Sequence, residues 1–220
     1  MQCNAWINIP HRANDEYIQN MAQLFRERLD PALTIYIEYS NEVWNWMFPQ
    51  ANFVSNTGPQ NISYPRRYAD RCRHAFELWM QEFNAQPQRV RRVLNTQYGN
   101  SFYTEQILAH LPSNVYDYLS PSWYFGYSGS PCALNFSSST TPQEIINCTR
   151  QAFISSFPSL RQEYLNAALY GKRIVHYEGG QHMADIGQLT PYLPALWNAQ
   201  LHPDIYALYT EVMDSLSTLK

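Results

Sequence analysis

Two stretches of this chain end in carboxylates able to do chemistry: Ile35-Tyr-Ile-Glu-Tyr-Ser-Asn-Glu42-Val-Trp-Asn45 and Arg173-Ile-Val-His-Tyr-Glu178-Gly-Gly-Gln-His182. Each is a compact run of β-branched and aromatic residues that gives way to polar groups. A strand of that kind is buried along its length and delivers its last side chains to the C-terminal rim of a parallel sheet. Ligands sit at that rim in α/β folds. Two glutamates placed there by different strands are enough to hydrolyse a glycosidic bond. One donates a proton to the leaving oxygen, and the other attacks the anomeric carbon or activates water.

The elements that must hold these glutamates alternate strand and helix. Ala5–Ile9 reads as a strand, and Asn14-Asp15 as the cap of a helix whose apolar face is Tyr17, Met21, Leu24, Phe25 and Leu29. The strand Ile35–Tyr39 follows, and then a loop rich in Asn, Pro and Gly, from Phe48 to Ser63. A long helix carries Tyr68, Cys72, Ala75, Phe76, Trp79, Met80 and Phe83 at spacings of three and four. Arg92–Thr96 is predicted as a strand, Thr104–Leu111 as a short helix, and Val115–Leu119 as a strand running into Ser120–Gly126.

Thr141-Pro-Gln-Glu144 is a capping box with proline at the first helical position, opening a helix through Ile145, Ile146, Thr149 and Phe153. A second helical pattern runs from Leu160 to Leu169 beyond Pro158. Gly171 ends it before the strand Ile174–Tyr177, and an amphipathic tail includes Ile205, Leu208, Val212 and Leu216. Five β→α units without a hairpin predict an α/β fold with a parallel sheet, either a (β/α)8 barrel or a doubly wound sheet. No GxGxxG or GxxxxGK[ST] follows a strand, which argues against a nucleotide-binding version.

A length of 220 residues suits one domain, and a formal charge of −3 leaves no electrostatic footprint for nucleic acid or an anionic membrane. The 17 Tyr, 10 Phe and 6 Trp stand against only 15% charged residues, so many of these rings must be core. Cys3, Cys72, Cys132 and Cys148 have no CxxC spacing or companion histidines, and no metal is expected. Cys132 and Cys148 flank a Ser/Thr-rich loop leading into a helix; they read either as a disulfide of an exported protein or as two free thiols. Asn61, Asn135 and Asn147 head glycosylation sequons, relevant only in a eukaryotic secretory route. No apolar signal-peptide core or membrane-spanning run is present in the sequence.

Asn41-Glu42 at one strand end and Glu178 at another, 136 residues later, resemble the clan of retaining glycoside hydrolases built on a TIM barrel. In that clan the acid/base glutamate, preceded by asparagine, ends the fourth strand and the nucleophile ends the seventh. Tyr39-Ser-Asn-Glu-Val-Trp-Asn45 is similar to the fourth-strand motif of a bacterial branch often found beside carbohydrate-binding modules. Trp6-Ile-Asn-Ile-Pro-His11 is similar to the end of strand three, and Tyr177-Glu-Gly-Gly-Gln-His182 to the end of strand seven.

The resemblance implies an incomplete (β/α)8 TIM barrel, about strands three to seven with strands one, two and eight missing, in one partial catalytic domain. It implies Glu42 as acid/base, Glu178 as nucleophile, and Asn41 hydrogen-bonded to the hydroxyl beside the anomeric carbon. Tyr124 would hold the nucleophile ionised, or else is a core tyrosine. His11, Gln97, Trp123 and His182 follow strand ends and are expected to line subsites, although rim residues also serve loop packing.

Trp44 and Trp46 form a stacking wall or anchor the long loop; Glu38 is expected to be a buried structural carboxylate paired with an arginine or tyrosine, and Trp79 to be core. The expected substrate is a plant or microbial oligo- or polysaccharide. No cofactor, nucleic acid or membrane is involved in that expectation, the location is extracellular or cell-surface, and carbohydrate-binding modules are appended in the full-length protein. The rival is a barrel whose rim grips a glycan without cleaving it.

Overall fold

The computed structural model describes residues 3–185, 187 and 189–219. The chain is α/β, and every strand pairing among the described residues is parallel. It divides into two compact units, residues 1–122 with 165–177, and residues 123–164 with 178–220.

In the first unit, β1 (Ala5–Ile9), β2 (Ile35–Tyr39), β3 (Val90–Gln97), the first five residues of β4 (Tyr118–Phe125) and β5 (Arg173–Ile174) lie side by side in chain order. The helices between them are α1 (Asp15–Arg28), α2 (Pro49–Asn56), α3 (Tyr64–Glu82) and α4 (Ser101–Leu108). Asn14 caps α1 by accepting the Tyr17 amide at 2.9 Å, which satisfies one of the helix's orphan donors.

Strand alternation puts Ile35, Ile37, Tyr39, Val90, Leu94 and Leu119 on one face, where they join Ile18, Phe76 and Trp79 in one buried cluster. The opposite face carries Trp6 stacked on Tyr36 at 5.4 Å, with the buried Glu38 and Asn95 further along the strands. Trp79 is fully buried, as the spacing predicts. Glu38 is fully buried as well, and its Oε2 accepts the Trp6 indole N–H at 2.9 Å.

The segment after Phe48 departs from the expected loop, because Pro49–Asn56 forms α2. Pro49 stands at a helix start, where its missing N–H costs nothing, and Ala51 and Val54 are buried. Asn- and Pro-rich composition hid a two-turn helix.

The expected strand Ile174–Tyr177 is broken. Only Arg173–Ile174 pairs with β4 in the first unit, and β6 (Gly179–Gln181) pairs with Trp123–Phe125 in the second. The cause is Pro121, placed mid-strand. Leu119 and Trp123 bond toward this side, through Val175 N to Leu119 O at 2.9 Å and Trp123 N to Glu178 O at 3.4 Å. Pro121, between them, has no N–H to give. Side chains fill the gap: Ser120 Oγ accepts the Tyr177 amide at 3.1 Å, and the Pro121 carbonyl meets His176 Nδ1 at 3.0 Å. β4 also begins three residues later than predicted, because Val115–Asp117 belongs to the approach from α4.

The second unit contains the end of β4, β6, most of α5 (Pro142–Leu169), α6 (Leu193–Gln200) and α7 (Asp204–Ser217). The capping box forms as predicted: Glu144 accepts the Thr141 amide at 2.7 Å, and Thr141 Oγ1 accepts the Glu144 amide at 3.3 Å. Where the sequence suggests two helices split at Pro158, one helix runs through. Phe153 and Leu160, two turns apart on one face, are both buried and hold the apolar stripe in line across the proline. Cys132 and Cys148 are joined in a disulfide, with Cα atoms 5.7 Å apart. The aromatic residues Trp123, Phe125, Phe153 and Tyr209 pack edge to face or tilted at 5.2–6.2 Å.

Candidate functional site

In the first unit, Glu42 sits just beyond β2, where the backbone leaves extended geometry sharply. Ser40 has φ +61° and Glu42 φ +44°, the only non-glycine residues with positive φ among those described. Neither side chain favours that region, so the surroundings must impose it, and such strain gathers at functional sites. The restraints are visible. Ser40 N donates to the Ile9 carbonyl at 2.7 Å, the Ser40 carbonyl accepts from Asn8 Nδ2 at 2.6 Å, and Gln50 Nε2 donates to the Asn41 carbonyl at 2.6 Å.

The Glu42 side chain is 7% exposed and held from two sides. Asn45 Nδ2 donates to Oε2 at 2.9 Å, and the Tyr177 hydroxyl donates to Oε1 at 3.1 Å. The strand's period of two ends at Tyr39, so the direction of the Glu42 side chain is set by the turn rather than by the strand.

Tyr177 is the residue that sequence reasoning missed. Nothing local marks it, since its partner lies 135 positions away. Its place directly before Glu178 is the one signal that could have singled it out. Asn41 is half-buried beside Glu42, and its Oδ1 is buried with no hydrogen-bond partner among the described residues.

Trp44 anchors its loop, its indole donating to Asn95 Oδ1 at 2.8 Å, whereas Trp46 is exposed and tilted against Tyr64 at 4.9 Å. Gln97 is half-buried and accepts from Asn100 Nδ2 at 2.9 Å, which closes the turn into α4. His11 sits after β1, where its backbone carbonyl accepts the Tyr39 hydroxyl at 2.9 Å. Its ring meets the Phe53 edge at 5.2 Å, and burial together with Arg12 and Arg71 lowers its pKa.

In the second unit, Glu178 is half-buried, and its carbonyl accepts the Trp123 amide. The glycines after it make room for the protein itself rather than for a ligand. A Cβ on Gly179 would lie 2.4 Å from the Trp123 carbonyl oxygen, and Gly180 takes φ +142° with the Tyr209 hydroxyl close by. Trp123, expected to line a subsite, is instead 2% exposed, with its indole packed against Phe125 and Phe153. Tyr124 is 38% exposed and meets the exposed His182 edge to face at 5.6 Å, so it is not a core tyrosine.

Among the described residues no cluster of three or more His, Cys, Asp or Glu could hold a metal ion, and no helix is long and apolar enough to cross a membrane. No known protein family, curated protein or solved structure matches the chain.

Proposed function

We propose that the chain carries the acid/base and nucleophile of a retaining O-glycosyl hydrolase acting on a plant or microbial polysaccharide. In this reading the sheet is the strand-three-to-seven portion of a (β/α)8 barrel, with β1 as its third strand and β5 with β6 as a broken seventh. The observation that carries the reading is the state of Glu42. It is a buried carboxylate on a strained strand-end turn, fixed by Asn45 and by Tyr177, the residue that precedes Glu178 in the chain. A surface glutamate that merely capped a turn would have no need of burial, strain and a hydroxyl donor from a distant segment.

The chemistry follows in two steps. Glu42 gives its proton to the leaving glycosidic oxygen while the Glu178 carboxylate attacks the anomeric carbon, breaking the C–O bond and forming a glycosyl ester. Glu42, now ionised, takes a proton from water as that water attacks the same carbon, which releases the sugar and restores both carboxyl groups. Each displacement inverts the centre, so the product keeps the starting configuration. Asn41, adjacent to Glu42, would hydrogen-bond the neighbouring sugar hydroxyl. The Cys132–Cys148 bond supports an exported protein.

The test is the configuration of the first-formed sugar, read by proton NMR during hydrolysis of aryl glycosides and polysaccharides. Retention is expected, with kcat falling about 10²–10⁴-fold in Glu42→Gln. An inverted product, or full activity in that variant, contradicts the mechanism. Glycan binding without turnover would replace it with the carbohydrate-binding reading.

A further inference from the structure

A cleft of about 330 Å³ opens in the first unit beside α1 and α3, away from the groups that bind the Glu42 carboxylate. Its volume is at the small end for ligand sites, which run from about 300 to 1,000 Å³. Two guanidinium groups line it, and neither makes an ion pair among the described residues.

Arg67 is 8% exposed. Its Nη1 donates only to neutral oxygens, the Pro59 carbonyl at 3.2 Å and Gln60 Oε1 at 3.1 Å, and its buried Nε has no partner. Arg71 donates to Thr57 Oγ1 and lies over the Phe53 ring at 4.8 Å. A buried guanidinium without a counter-charge is costly, and such groups are normally paired. His11 Nε2, also on this wall, is buried and unpartnered.

The acidic side chains nearby are already engaged. Asp70 meets Arg73 at 2.8 Å and His110 at 2.9 Å, and Asp15 meets His74 at 2.8 Å. Asp15 and Asp70 line the same cleft, but each meets these other partners, and neither forms an ion pair with Arg67 or Arg71.

We propose that this cleft binds a small oxyanion, a phosphate, sulfate or carboxylate group, with Arg67 and Arg71 as its charged donors. Forked guanidinium donors match the paired oxygens of such groups. The site is independent of the glycosidase reading and can stand or fall without it.

The test is isothermal titration calorimetry of the full chain at low ionic strength with inorganic phosphate, inorganic sulfate, glucuronate and, as a neutral control, glucose. At least one anion should bind saturably while glucose does not, and added salt should weaken the binding. Glucuronate as the tightest ligand identifies an acidic sugar, and phosphate or sulfate as the tightest identifies the free anion.

Arg71→Gln should weaken binding roughly tenfold to a hundredfold, the loss of one charge-assisted hydrogen bond. Its melting temperature shows whether the variant is folded. Asp15→Asn, a change at an exposed position, should strengthen binding about two- to fivefold by removing a competing negative charge. A purely structural role for the arginines predicts no such gain. No saturable binding of any anion, equal binding of glucose, or an affinity unmoved by Asp15→Asn overturns the proposal.

Discussion

The two units hold their structure by different means. In the first, five parallel strands in chain order carry an apolar face into a continuous core under α1, α3 and α4, and Tyr68, Phe76 and Trp79 are almost wholly buried. In the second, the only strand pairing among the described residues is three residues long, between Trp123–Phe125 and Gly179–Gln181. A disulfide, a capped helix and edge-to-face rings take the place of the ladder there. Both units bury apolar side chains, Ile146, Leu196, Leu208 and Val212 among them in the second, but the second adds a covalent tie.

Trp79→Ala tests the first half of that contrast and has the largest expected effect. The indole is fully buried against Phe25 and Phe83, so its removal leaves a large cavity. A loss of about 3–5 kcal/mol is expected in urea unfolding followed by circular dichroism. A loss below about 1 kcal/mol would mean that the first unit does not depend on this core.

Replacing both Cys132 and Cys148 with serine tests the second half. Closing a loop of this size contributes about 3 kcal/mol in the chain-entropy account. Hydrogen exchange should quicken in the 131–164 segment while the β1–β3 amides keep their protection. Equal acceleration in both would erase the distinction between the units.

Asp117→Asn sharpens the account of the first unit. Burial pushes this carboxyl up, but the paired hydrogen bonds and charge of Arg92, at 2.8–3.0 Å, outweigh it and hold the pKa below the usual value. The stabilisation is therefore present above about pH 4, the unfolded value, and disappears as the pH falls through the depressed folded value. About 1–2 kcal/mol should be lost at pH 7, with the gap between variant and wild type closing in strong acid. A gap independent of pH would mean that the variant acts through packing rather than charge.

Legibility followed locality. The spacing of Tyr68, Cys72, Phe76 and Trp79, the Asn14 cap and the Thr141–Glu144 box are written within single turns, and each formed where it was read. The break between β5 and β6 was not legible, because it depends on which neighbour Pro121 faces, and that is known only once the register is set. The same holds for the site. Glu42 and Glu178 stand out at the ends of apolar runs, whereas Tyr177 bonds to Glu42 across 135 positions and looks like another core aromatic in the sequence. Trp123 misled for the converse reason: a ring after a strand run has the same appearance whether it meets sugar or packs on Phe153.

The central claim, that Glu178 is the nucleophile and Glu42 its acid/base partner, is tested most directly by trapping the glycosyl ester. The chain is incubated with 2-deoxy-2-fluoro aryl glycosides, which slow both steps and let the intermediate accumulate, and the labelled peptide is sequenced by mass spectrometry. The account predicts one sugar per chain, attached to Glu178, forming more slowly in Glu42→Gln. A sugar attached to Glu42 or to another carboxylate, or turnover of the unfluorinated glycoside with no adduct trapped on Glu178, would contradict it.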